Sequence, residues 1–130
     1  SCRSQMGEGW VRHLLGDRVE VWSAGTRPSF VHPRAIQVMA EAAVDLSAHT
    51  SKSVEDLPEI PFDLVVTVCD SAREACPVFP GARKTVHHAF EDPAHAGEGD
   101  DALPLFRRVR DEVREVLPAL VARELGLGGG

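Results

Sequence analysis

Leu64-Val65-Val66-Thr67-Val68 is a run rich in β-branched residues that opens directly onto Cys69-Asp70-Ser71-Ala72-Arg73-Glu74-Ala75-Cys76-Pro77. A near-continuous apolar run, without alternation, marks a strand buried on both faces, and such strands belong to parallel sheets covered by helices. Upstream, Val19-Glu20-Val21-Trp22 alternates as a strand does and ends in Ser23-Ala24-Gly25. Downstream, a shorter strand is expected from Thr85 to His87. Helical patterns fill the intervals. From Ser4, the residues Met6, Trp10, Val11, Leu14 and Leu15 recur at helical spacing until Gly16 stops them. Pro33 suits the first turn of a helix running through Ile36, Val38, Met39 and Ala43. The last helix gathers Leu105, Phe106, Val109, Val113, Val116, Leu117 and Leu120 on one face, and Pro118 is expected to kink or restart it. Strands alternating with helices predict an α/β fold, three layers α/β/α around a small parallel sheet. With three visible strands that sheet is thin, so a further strand ahead of Ser1 is expected.

Composition narrows the function classes. The 130 residues suit one domain spanning 1–130, with 126–130 as a frayed tail. Apolar residues make up 43% and charged residues 26%, which excludes a disordered or fibrous chain. The longest apolar runs fall far short of the roughly 18 residues that span a bilayer. Twenty acidic against fourteen basic residues leave a net charge of −6, a poor balance for gripping nucleic acid or an anionic membrane. Three cysteines cannot form a closed set of disulfides and suit a reduced compartment, so a cytoplasmic location is expected.

Four constellations could carry chemistry. Ser1-Cys2-Arg3-Ser4 enters a helix, where free backbone N–H groups and the helix dipole favour an anion. Arg3 adds a planar fork suited to two oxygens of a tetrahedral oxyanion, although an ordinary cap with a solvated arginine has the same sequence. Cys69 and Cys76 sit seven apart at the carboxyl end of the buried strand, where α/β sheets place their ligands. A segment of that length can bring two sulfurs together, or the two can simply be small buried hydrophobes. Asp92 precedes Pro93, which holds it extended and fixes where its carboxylate points, either as a positioned acid or as part of a turn. His87-His88 are adjacent imidazoles that point apart on a strand, and no C-x-x-C is present, so no metal site is predicted.

Taken together the pieces resemble arsenate reductases on the low-molecular-weight tyrosine phosphatase fold. Ser1-Cys2-Arg3-Ser4-Gln5-Met6-Gly7-Glu8-Gly9-Trp10 is similar to the second half of that family's phosphate-binding loop and its first helix. The loop in the family reads Cys, five residues, Arg, then Ser or Thr. Trp22-Ser23-Ala24-Gly25-Thr26, His32-Pro33-Arg34-Ala35-Ile36 and Asp45-Leu46-Ser47 resemble its middle. Val68-Cys69-Asp70 through Cys76-Pro77 resembles its redox segment, Phe90-Glu91-Asp92-Pro93-Ala94 its acid loop, and Phe106-Arg107-Arg108-Val109-Arg110-Asp111-Glu112 its last helix.

The resemblance implies a chemistry. Ser1, Cys2, Arg3 and Ser4 bind the oxyanion, and the nucleophilic cysteine falls four residues before Ser1, with the first, central strand. Cys2 cannot replace that nucleophile, because the sixth residue after it is Glu8. Asp92 donates the proton to departing water. Cys69 attacks the cysteine–arsenic adduct, Cys76 attacks Cys69, and the Cys69–Cys76 disulfide is reduced by thioredoxin. No cofactor is implied. Some relatives bind potassium through the positions of Glu8, Ser23 and an acidic residue near Thr50-Ser51; here Lys52 stands at that acidic position, so no potassium requirement is expected.

Two rival readings differ in class. A protein tyrosine phosphatase of the same fold would hydrolyse phosphate monoesters, but it has no use for Cys69 and Cys76. An inactive oxyanion-binding fragment is the other. A sheet without its central strand is expected to leave the 130-residue chain aggregation-prone or molten and inactive, and about a dozen added N-terminal residues to restore it.

Overall fold

The computed structural model describes residues 2–24, 33–46, 57, 61–69, 82–91, 93 and 100–127, the side chains of Cys2 and Asp100 excepted. Helix α1 (Cys2–Leu15) buries Met6, Trp10, Val11 and Leu15 along one stripe, while Leu14, expected on that stripe, is exposed. Helix α2 (Pro33–Glu41) buries Ala35, Val38 and Met39. Its end falls two residues before the expected Ala43, which instead takes a left-handed backbone, φ 64°. That turn lets Val44 N–H donate to the Met39 carbonyl at 2.9 Å and closes the helix. A left-handed residue with a Cβ is strained by roughly 1–2 kcal/mol, part of which glycine would return as unfolded-state entropy. Ala43→Gly is therefore expected to stabilise the fold by about 0.5–1 kcal/mol in denaturant unfolding. A lowered midpoint would show that the left-handed closure is not kept in solution.

Strands β1 (Val65–Thr67) and β2 (Thr85–His87) pair in parallel, with Val65 opposite Thr85, Val66 opposite Val86 and Thr67 opposite His87. A further parallel bridge joins Phe62 to Ala82. Two strand expectations need correction. β1 is half-buried along its length, not fully buried. Val19–Trp22 forms no strand, so the described residues hold a sheet of two strands where three were expected. Alternation supplies a strand's side chains but not its ladder, and here the backbone polar groups are met otherwise. Val19 N–H donates to the Leu15 carbonyl at 3.0 Å, and the Arg12 guanidinium donates to the Val21 carbonyl at 2.8 Å.

A 3-10 turn, Asp100–Ala102, leads into helix α3 (Leu103–Glu124), which buries Phe106, Val109, Val113, Leu117, Leu120 and Val121. The helix continues through Pro118 and does not stop there. Proline removes one backbone hydrogen bond, but buried Leu117, Leu120 and Val121 hold both sides of it in the core. Gly126 and Leu127, expected in the frayed tail, cap the helix: Gly126 is left-handed, φ 70°, and Leu127 N–H donates to the Ala122 carbonyl at 2.8 Å.

Helices α1, α2 and α3 share one core with Leu46 and Phe90. A Cβ on Gly7 would stand 2.7 Å from a Leu117 methyl, so the missing side chain lets α1 and α3 approach. Trp10 Nε1 donates to the Arg110 carbonyl at 3.1 Å, and the Arg114 guanidinium lies over the Trp10 ring. Arg107 grips the Glu41 carboxylate with two donors, at 2.9 and 2.8 Å, and Arg110 adds a third at 2.9 Å. Hydrogen bonds from Arg107 first, opposed by desolvation and then joined by the charge of Arg107 and the hydrogen bond and charge of Arg110, hold the Glu41 carboxyl below its ordinary 4.5. A lowered carboxylate stabilises the fold above its unfolded value and loses that contribution as pH falls through the folded one. Glu41→Gln is accordingly expected to destabilise at neutral pH, with the gap to wild type closing below 4.5 and narrowing in high salt. A gap unchanged from pH 7 to pH 3 would remove Glu41 from the account.

Candidate active site

Helix α1 starts at the carboxyl end of β1. Arg3, in its first turn, is 6% exposed. Its Nη1 donates to the Phe90 carbonyl at 3.0 Å and reaches the Val68 carbonyl at 3.5 Å. One side chain thus ties the helix start to the exits of both strands. No acidic residue stands in the first turn of α1, so its N-terminal dipole is not neutralised there. Ser4 is half-buried on the next position. Cys2 opens the helix, with its side chain outside the described residues.

Cys69 is half-buried, directly follows Val68 and is disulfide-bonded. The structure therefore brings Arg3 and Cys69 to one place, since Arg3 reaches the carbonyl of the residue before the cysteine. The second sulfur of that disulfide lies outside the described residues, as do Ser1, Cys76 and Asp92. The residues flanking Asp92 are fixed: Glu91 accepts from Arg108 at 2.7 Å and Pro93 is buried.

A second cluster lies one turn further along α1. Glu8 is buried, its Oε1 accepts from the Ser23 hydroxyl at 2.5 Å, and its Oε2 pairs with Arg12 at 3.0 Å. Glu8 and Ser23 thus meet through that hydrogen bond, whereas Lys52 is outside the described residues. Arg12 stands beside Glu8 as an ion pair that its i, i+4 spacing announces and that the candidate residues above did not include. The Val68 and Phe90 carbonyls were missed as well. His87 Nδ1 lies 2.6 Å from the Thr67 hydroxyl, and the His88 ring tilts against Phe90 at 4.8 Å. Among the described residues no three His, Cys, Asp or Glu side chains cluster to hold a metal ion, and no helix is long and apolar enough to cross a membrane.

A helix start at the carboxyl ends of parallel strands, with a buried arginine in its first turn and a disulfide-bonded cysteine beside it, defines an α/β protein with a candidate site at its strand ends. The sequence matches the family of low molecular weight phosphotyrosine protein phosphatases over residues 1–126. An arsenate reductase of Halalkalibacterium halodurans is 44% identical over 114 residues, 87% of this chain and 82% of the relative. Arsenate reductase 2 of Staphylococcus epidermidis is 40% identical over 123 residues, 95% and 90%. A solved arsenate reductase in the reduced state superposes with a TM-score of 0.77 at 33% identity, and one in the phosphate-binding state with 0.75 at 34%; each match covers 95% of this chain and 90% of the other. The chain belongs to the low molecular weight phosphotyrosine protein phosphatase family and has its α/β fold.

Proposed function

We propose that the protein reduces arsenate to arsenite by a cysteine relay, with thioredoxin as the final reductant. The observation that carries this reading is the disulfide-bonded Cys69 one residue beyond the Val68 carbonyl that Arg3 reaches. Relatives named arsenate reductases, 40–44% identical over most of the chain, support it.

Arg3 holds arsenate with the N–H groups at the start of α1, Ser1 and Cys2 included. In the relay that the family resemblance implies, a cysteine thiolate at the position four residues before Ser1 attacks arsenic, and water leaves with a proton from Asp92. The guanidinium and the helix N-terminus lower the pKa of that thiol, and Ser4 donates to its thiolate. Cys69 then attacks the sulfur of the adduct. A disulfide forms, the S–As bond breaks, and its electron pair reduces arsenic from the +5 to the +3 state, released as arsenite. Cys76 attacks Cys69, frees the first cysteine and leaves Cys69–Cys76. A disulfide within one protein calls for a dithiol reductant, hence thioredoxin. Such exchange needs reduced thiols in the surroundings, which fits the cytoplasm.

The family also admits phosphate monoester hydrolysis, which needs Arg3 and Asp92 but neither Cys69 nor Cys76. Protein extended through the nucleophile should therefore form arsenite steadily when supplied with arsenate, thioredoxin, thioredoxin reductase and NADPH, and hydrolyse p-nitrophenyl phosphate slowly at best. Fast hydrolysis without arsenite would assign the hydrolase reading.

A further inference from the structure

The chain leaves β2 through Phe90 and Glu91, and each is held by a different helix. Phe90 is buried, its N–H donates to the Val68 carbonyl at 3.1 Å, and its own carbonyl accepts from Arg3 of α1 at 3.0 Å. Glu91 is exposed, and its carboxylate accepts from Arg108 of α3 at 2.7 Å. Arg108 stands on a fixed base, because its neighbours Phe106 and Val109 are buried in the core. Pro93, two residues beyond Glu91, is buried as well. An exposed ion pair adds little to stability, so the pair of Arg108 with Glu91 is a poor candidate for a stabilising contact. It is better placed as a tether. The residue joined to Glu91 is Asp92, and a proline favours an extended residue before it. The freedom open to position 92 is then chiefly rotation about the peptide it shares with Glu91.

We infer that Arg108 is a positioning residue for the proton donor: its ion pair with Glu91 restrains the peptide that enters Asp92 and so sets the Asp92 carboxylate against the oxyanion that Arg3 holds. This rests on the reading of Asp92 as the acid. Arg3, Phe90, Glu91 and Arg108 form one strut from α1 to α3 across the end of β2. The arginine that binds the anion and the acid that protonates its leaving group are thereby tied to the same two residues.

The test joins Glu91→Ala to Arg108→Ala in protein extended through the nucleophile, which removes the tether and leaves the net charge unchanged. Two aryl phosphates separate the acid from the anion site. As the thiolate attacks phosphorus the P–O bond breaks; the phenolate of phenyl phosphate needs a proton from Asp92 to leave, whereas 2,4-dinitrophenolate leaves without one. The double variant should release phenol about three- to tenfold more slowly and dinitrophenol within about twofold of the wild-type rate. Sulfate affinity and melting temperature should not move. The swapped pair, Glu91→Arg with Arg108→Glu, should recover most of the phenol rate. Asp92→Asn should show the same selectivity, at about a hundredfold or more. Selectivity in Asp92→Asn but not in the double variant would overturn the role of Arg108 alone. Selectivity in neither would place the error in the reading of Asp92 and overturn the inference with it. Equal losses on both esters with a lowered melting temperature would reduce the pair to a structural brace, which also overturns it. Neither ester draws on Cys69 or Cys76, so the outcome does not depend on the relay.

Discussion

Replacing Cys69 by serine is expected to hold the reaction to at most one turnover in protein extended through the nucleophile. The first cysteine can still attack arsenate, because that step uses Arg3 and the start of α1. A serine hydroxyl cannot then form a disulfide with the adduct sulfur, so the electron pair that reduces arsenic is not released by that route. The variant should accumulate a protein–arsenic adduct, seen as a mass increase in native mass spectrometry, while NADPH consumption stops. Because Cys69 already sits at the carboxyl end of β1, the change should leave the strand pairing of Val65–Thr67 intact. Sustained thioredoxin-coupled turnover by Cys69→Ser would overturn its assigned role.

Arg3→Lys should be almost as damaging, for two physical reasons. Lysine keeps the charge but loses the planar fork that matches two oxygens of an oxyanion. Its compact ammonium also cannot replace a guanidinium that spans the Phe90 and Val68 carbonyls, at 3.0 and 3.5 Å, while presenting other donors elsewhere. Losing one preorganised donor to a developing oxyanion typically lowers the rate on the order of a hundredfold or more. Leaving the buried Phe90 carbonyl without the Arg3 donor costs roughly 1–3 kcal/mol of stability besides, whereas the Val68 carbonyl keeps the Phe90 N–H at 3.1 Å. The two effects separate experimentally, since sulfate affinity per folded molecule reports the anion site and the melting temperature reports the strut. A near-normal rate with near-normal sulfate affinity would place Arg3 outside the site.

The legible parts of this fold are those in which side chains alone specify the element. β1 was readable from Leu64–Val68 because a β-branched run has few other uses, and α3 from its stripe, Phe106 through Leu120. Pro118 misled because its cost to an isolated helix is outweighed by its buried neighbours. Val19–Trp22 failed because a strand exists through its partner, and alternation says nothing about whether one is adjacent. The site shows the same division. The place of Cys69 at a strand's carboxyl end followed from strand geometry and its closeness to Arg3 only from the family resemblance, while the Phe90 and Val68 carbonyls carry no side-chain signature. Arg12 beside Glu8 was written in the i, i+4 spacing; its use of the Val21 carbonyl was not.

Disulfide mapping after a single turnover tests the relay most directly. Reduced protein extended through the nucleophile is mixed with one equivalent of arsenate without thioredoxin, quenched with acid and an alkylating reagent, and digested for mass spectrometry, with arsenite measured in parallel. The relay should give one arsenite per Cys69–Cys76 disulfide formed, with the nucleophilic cysteine returned to its alkylatable thiol. Arsenite appearing while Cys69 is recovered fully alkylated would contradict it.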